Sequence, residues 1–196
     1  MKRIKQAIKF TLVLLLLPVS GVGCANPNNV MLGEYQSQIS TYGGRSDGQG
    51  GLKHLAGAAW EDEDFWMVQL QYSQPDTFFR VPSRRNVELM QWFGFGMTDN
   101  GTDSMSSYDQ QLIGLSLDMQ LITIGRFYYG LGGGVYVGQR MTARNGSRMT
   151  FGAKMFMGYR WGKFAIELNT RHFSNGDVEQ PNHGQNFEGF TLLYTY

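Results

Sequence analysis

The stretch MTFGAKMFMGYRW, Met149–Trp161, alternates with a period of two. Met149, Phe151, Ala153, Met155, Met157, Tyr159 and Trp161 fall on one face, and Thr150, Gly152, Lys154, Gly158 and Arg160 on the other. Phe156 is the one large apolar residue out of phase. Successive side chains of a β-strand point to opposite faces, so this alternation predicts a strand with one apolar and one polar side. A small sheet in water hides its apolar faces in a common core. Here every strong segment has an apolar face, and the opposite faces are mostly glycine, amide and charge.

Working outward, Phe127, Tyr129, Leu131, Val135 and Val137 oppose Tyr128, Gly130, Gly132, Gly134, Tyr136 and Gly138, with Gly133 interrupting the apolar row. Ile113, Leu115, Leu117, Met119 and Leu121 oppose Gly114, Ser116, Asp118 and Gln120, and Trp66, Val68, Leu70 and Tyr72 oppose Gln69, Gln71 and Ser73. The pattern predicts strands near 51–60, 65–74, 87–97, 111–122, 127–139, 148–160, 164–174 and 187–196. The first alternates poorly, and 32–43 is its alternative. An all-β, eight-stranded antiparallel transmembrane barrel follows, apolar outside and polar inside. With 26 glycines and 14% aromatic residues, the composition suits a narrow barrel with small residues inside and rings at the membrane interfaces.

Connection lengths agree, because such barrels alternate short periplasmic turns with longer external loops. Counting back from a periplasmic C-terminus, 175–186, 140–147 and 98–110 are external and 161–163 and 123–126 periplasmic. The linker 75–86, PDTFFRVPSRRN, is too long for its periplasmic place. Phe190, Leu192, Tyr194 and Tyr196 end the chain in apolar alternation on an aromatic residue, like the C-terminal assembly signal of bacterial outer-membrane proteins. The expected location is the Gram-negative outer membrane.

Residues 1–25 read as a signal peptide. Lys2, Arg3, Lys5 and Lys9 precede an apolar core from Phe10 to Val19, and Gly23 and Ala25 provide the small residues that signal peptidase needs. Residues 26–196 then form a single barrel domain. Cys24, the only cysteine, has a second reading as a lipoprotein acceptor, for which Gly21 stands where a Leu-like residue is expected. Cleavage after Ala25 removes it and leaves no disulfide. After this segment no stretch reaches the roughly 18 apolar residues of a membrane helix. A net charge of +1 without a mature basic cluster gives no sign of a nucleic-acid partner. Inward charges at Asp118, Lys154, Arg160, Glu167 and Arg171 read as barrel filling that pairs across strands.

The seventh strand, FAIELNTRHFSN, carries the chemistry. Phe164, Ile166, Leu168 and Thr170 share a phase that continues through His172 and Ser174, so an imidazole and a hydroxyl leave the wall on the lipid side. Polar groups facing lipid are costly away from the membrane edge, and this strand is about to enter an external loop. The returning strand, read back from Tyr196, brings Glu188 and Asn186 out on the same face. A hydroxyl nucleophile, an imidazole base and a third group orienting the ring make up a serine-hydrolase set. Asn175 is the candidate oxyanion donor, through its amide or with a backbone N–H of the loop. No metal-ligand spacing accompanies His54 or His183, and no cofactor is expected.

The run HFSNGDVEQPNHGQN, residues 172–186, resembles the C-terminal signature of the lipid A deacylase (PagL) family, with H-x-S-N, a short loop containing P-N-x-G, and a third position. The resemblance covers about the last 25 residues closely and the strand order of the C-terminal half loosely. It implies an outer-membrane esterase that removes the ester-linked 3-position acyl chain of lipid A in lipopolysaccharide. His172 would be the base, Ser174 the nucleophile and Asn175 an oxyanion group. The family's third position, often Glu, falls on Asn186, and Glu188 is the alternative third member. The residue types are also similar to the His, Ser and Asn of outer-membrane phospholipase A, whose twelve strands need a longer chain. Phospholipase chemistry on the smaller barrel and a non-enzymatic adhesion or structural barrel with contact loops 98–110 and 140–147 are the alternatives. The sequence leaves monomer and homodimer open.

Overall fold

The computed structural model describes residues 30–31, 37–46, 65–94, 109–142, 145–180, 182 and 184–196. They form a closed barrel of eight strands: β1 (Gln38–Ser46), β2 (Phe65–Phe78), β3 (Val81–Gly94), β4 (Gln110–Ile124), β5 (Phe127–Gly138), β6 (Met149–Trp161), β7 (Phe164–Ser174) and β8 (Gln185–Thr195). Each strand pairs antiparallel with the next, and β1 pairs with β8 to remove the last edge. A closed barrel lets every wall strand satisfy its backbone N–H and C=O groups without water, which a bilayer demands. At one end the chain turns in two residues, at 79–80, 125–126 and 162–163. Gly125 and Gly162 both take φ near +60°, a left-handed value that glycine adopts without strain. By the loop-length rule this end is periplasmic. Just inside it, a chain of ring contacts links Phe127, Tyr159, Trp161, Phe164, Tyr194 and Tyr196 around the outer wall. Such a band is the aromatic girdle that anchors a barrel at a membrane interface.

Two expectations need correction. The first strand is not 51–60 but Gln38–Ser46, overlapping the alternative stretch, and 51–60 lies outside the described residues. The residue pattern of β1 explains the error. Its outward phase is Ile39, Thr41 and Gly43, a single large apolar side chain, so the apolar alternation that marks the other strands is missing. The 75–86 linker is likewise not a loop. β2 and β3 run on as one hairpin through Pro75↔Arg84 and Thr77↔Pro82 to a two-residue turn at Phe79 and Arg80. The prolines are tolerated there because the hairpin outruns its neighbours. β1 pairs with β2 only as far as Ser73, and β4 meets β3 from Ser83 onward. Pro75 and Pro82 therefore lie on unpaired edges, where a missing N–H breaks no ladder bond.

Inside, the barrel is packed in layers. The external half holds Tyr42, Met67, Met90, Trp92, Leu112, Tyr136, Phe173 and Phe187. The periplasmic half holds Tyr128 and Phe156, with Met31 buried against them. Gly130 makes room for this layer: a Cβ there would stand 2.3 Å from the Phe156 ring.

Between the layers lies a network of charges. Arg84, fully buried, reaches across the lumen, donating from Nε to Asp118 Oδ2 at 2.8 Å, from Nη2 to Glu167 Oε2 at 2.8 Å and from Nη1 to Gln38 Oε1 at 3.0 Å. Lys154 Nζ meets the same Asp118 oxygen at 2.5 Å, and Arg171 Nη1 pairs with Glu88 Oε2 at 3.2 Å. Tyr128 and Tyr136 donate their hydroxyls to Glu167 and Glu88. A buried charge is tolerable only with such partners. Of the charges expected to pair with one another across strands, only Asp118 and Lys154 do so, across the lumen from β4 to β6; Glu167 and Arg171 take Arg84 and Glu88 of β3 instead, and Arg160 donates to the carbonyls of Val30 and Met31 and to Thr195 Oγ1 at 3.0 Å.

Candidate active site

Strand β7 divides its residues by parity. Glu167, Asn169, Arg171 and Phe173 are buried in the lumen, whereas Leu168 is exposed and Thr170, His172 and Ser174 are half-buried on the outer wall. The inward residues fix the strand. Phe173, between His172 and Ser174, makes edge contacts with Trp92 at 5.1 Å, Tyr136 at 5.4 Å and Phe187 at 6.0 Å between ring centroids. Arg171, directly before His172, is bound to Glu88 and Gln69. Phe187 anchors β8 in the same cluster, beside Asn186. The backbone under the site is thus held by packed rings, the rigid support that a catalytic constellation needs.

The β7–β8 register pairs His172 with Asn186 and Thr170 with Glu188. On the outer wall His172 Nδ1 and Asn186 Oδ1 are 2.8 Å apart. An amide oxygen only accepts, so Nδ1 is the donor in this contact, and in the neutral ring the lone pair then sits on Nε2. That is the form of imidazole that can take a proton. Ser174 lies two residues further along the same face, a rise of about 6.6 Å that an imidazole ring can span. Glu188 is exposed and stands one outward position away from the His172 pair, beside Thr170. Across β6, His172 faces Ala153 and Ser174 faces Phe151, so one flank of the site is apolar.

Asn175 ends the strand and turns inward in phase, fully buried. Its backbone N–H donates to Asn182 Oδ1 at 3.0 Å, its Nδ2 donates to the Glu179 carbonyl at 2.6 Å, and its Oδ1 accepts from the Asp177 N–H at 3.0 Å. Gly176 and Asp177 both adopt left-handed backbone, with φ of 65° and 60°. Asn182 closes the turn by donating Nδ2 to Asp177 Oδ1 at 2.8 Å, and it bridges to Asn145 of the β5–β6 connection. Sequence reading found Asn175 but not this turn, because its bonds join residues with no periodicity. Asn182, Phe173 and Trp92 were missed as supports for the same reason: only the folded register shows what they touch. His54 and His183 lie outside the described residues, among which no group of potential metal ligands occurs.

The fold is that of an outer-membrane β-barrel, and the candidate residues His172, Ser174 and Asn186 lie on its outer wall and not in its lumen. A profile of the lipid A 3-O-deacylase (PagL) family matches residues 88–195, more than half of the chain. The chain belongs to the PagL family, which makes it a carboxylic ester hydrolase of the Gram-negative outer membrane that deacylates lipid A. No curated protein matches it. Its fold recurs among solved structures. The crystal structure of Neisserial surface protein A (NspA) superposes with a TM-score of 0.55 at 12% identity, over 83% of this chain and 96% of that one. The crystal structure of the outer membrane enzyme PagL superposes with a TM-score of 0.52 at 12% identity, over 81% and 99%. At this identity the likeness is one of architecture.

Proposed function

We infer that this barrel removes the 3-position acyl chain of lipid A by a serine-esterase mechanism, with His172 as base, Ser174 as nucleophile and Asn186 as the group that orients the ring. The observation that carries the reading is the 2.8 Å contact between His172 Nδ1 and Asn186 Oδ1 on the lipid-facing wall, with Ser174 in the same phase. An ester substrate embedded in the outer leaflet can reach that wall without entering the packed lumen.

In the first step Ser174 Oγ attacks the ester carbonyl carbon while His172 Nε2 takes the hydroxyl proton. The carbonyl oxygen becomes an oxyanion at the edge of the turn that Asn175 organises from inside, its own backbone N–H and Nδ2 being given to Asn182 and Glu179. Collapse of this intermediate breaks the bond to the sugar oxygen. The imidazolium returns the proton, releasing the 3-hydroxyl of the sugar and leaving an acyl-serine. Water, deprotonated by the same imidazole, then frees the fatty acid and restores Ser174.

The test is mass spectrometry of lipid A from cells making either the wild-type chain or Ser174→Ala, with assignment of the freed hydroxyl. Wild type yields lipid A short of one acyl chain at the 3-position, and Ser174→Ala yields unchanged lipid A. Identical lipid A from both ends the serine mechanism. Loss of a chain elsewhere on the sugar refutes the positional assignment. Release of fatty acid from glycerophospholipid but not from lipid A moves the reading to a phospholipase.

A further inference from the structure

The two external connections beside the site differ in charge. Residues 139–148, QRMTARNGSR, carry three arginines and no acid, whereas 175–184 carry Asp177 and Glu179 and no Lys or Arg. Arg144 lies outside the described residues. Arg140 and Arg148 are both exposed and flank the external end of β5. Arg148 donates from Nε to the Gly138 carbonyl at 3.3 Å and from Nη2 to the Gln139 carbonyl. Arg140 donates from Nε and Nη2 to the Asp109 carbonyl, at 2.9 Å and 2.5 Å. Carbonyls orient a guanidinium without neutralising it, so the contacts given for Arg148 leave its charge in place. Asp177 of the neighbouring loop accepts from Asn182 Nδ2.

The position of Arg148 relates it to the site. Ser174 pairs with Phe151 on β6, and Arg148 stands three residues before Phe151, just outside the external end of that strand. In strand geometry this is about 10 Å along the barrel and about 4.8 Å sideways. Below it the outer wall is apolar, with Met149, Phe151, Val135 and Val137 exposed. Arg148 is therefore an exposed cation at the external rim of the barrel, just beyond this apolar wall. The bridge from Asn145 to Asn182 ties its loop to the one that follows Ser174. Lipid A is a phosphorylated disaccharide, and its phosphates lie within the length of that disaccharide from each sugar ester.

We propose that Arg148, seconded by Arg140, binds a phosphate of the lipid A whose ester lies at Ser174, making the enzyme selective for phosphorylated over neutral glycolipid. The proposal rests on the ester-hydrolase site inferred above. A guanidinium suits the role because its fork of N–H donors matches a phosphate's oxygens.

The experiment uses the full chain, purified in detergent micelles, with bisphosphorylated lipid A and the same lipid A after chemical removal of its phosphates. Folding of each variant is checked by heat-dependent gel mobility. Arg148→Gln raises KM for the phosphorylated substrate about tenfold, the size of one lost charge-assisted contact. It leaves kcat within about twofold and does not alter kinetics on the dephosphorylated substrate. Arg140→Gln/Arg148→Gln raises KM further, and Arg148→Lys, the second line should the Gln variant fail to fold, keeps part of the preference. Equal changes on both substrates, or changes on neither, overturn the proposal while leaving the hydrolase reading intact. If wild type hydrolyses neither substrate, the hydrolase reading itself fails and the phosphate site falls with it.

Discussion

The lumen and the outer wall of this barrel both carry polar side chains, and they use them in opposite ways. In the lumen, Arg84, Asp118, Lys154, Glu167, Arg171 and Glu88 are joined by ion pairs that cross from strand to strand. On the wall, His172 and Asn186 share a hydrogen bond at the external edge, with Ser174 beside them in phase. The lumen resembles a stabilised core, its described charges held by partners of opposite sign. The wall holds the groups proposed to meet the ester. On β7 the two roles alternate residue by residue, so neighbouring substitutions should have unrelated effects. Outward changes should remove activity and spare the fold, and inward changes should do the reverse.

The largest effect expected is from Ser174→Ala. Loss of the nucleophile should lower the deacylation rate about 10⁴-fold or more, while the stability of the barrel moves by no more than about 0.5 kcal/mol, as for a surface change. Rates from single-turnover assays on lipid A and urea unfolding followed by tryptophan fluorescence measure both. A variant that keeps a tenth of the activity would show that the wall is not where the chemistry happens. Next comes Arg84→Ala, on the lumen side. It leaves Asp118 and Glu167 buried without the guanidinium that joins them, and removing one partner of a buried pair costs about 3–5 kcal/mol. Arg84→Met should cost less than Arg84→Ala because it fills the space. In protein that still folds, the deacylation rate should stay close to wild type. If unfolding is unchanged, the lumen network does not stabilise the barrel.

How much of this comparison was legible in the sequence depended on how local each feature is. Strand parity is local, so the outward placement of His172, Ser174, Asn186 and Glu188 followed from counting residues, and the fold followed from the same alternation. β1 was hidden because Ile39 is the only large apolar residue on its outward face. The β2–β3 hairpin was hidden because Pro75 and Pro82 read as breakers, and only the pairing limits of β1 and β4 show that they sit on free edges. Arg84 fell inside that misread linker. Its partner Glu167 is 83 residues away, on the strand diametrically opposite, a contact that no spacing rule reaches. The Asn175 turn was hidden for the opposite reason, since its bonds are short-range but follow side-chain direction and not period.

The finest test of the comparison separates two residues on the same wall. Asn186 and Glu188 share a face, and the carboxylate is by chemistry the better partner for an imidazolium. The register favours the amide. Asn186 is paired with His172 and bonded to Nδ1, whereas Glu188 is paired with Thr170, about 6.6 Å further along β8. Asn186→Ala should therefore lower kcat about 10- to 100-fold by freeing the ring to rotate and change tautomer, with KM little changed. Glu188→Ala should change kcat by less than about twofold. The reverse order would mean that the ring turns toward the carboxylate when substrate binds. Equal and small effects would mean that the packing of Phe173 and Phe187 beneath the strands is enough to orient His172, so that the lumen contributes to the reaction after all.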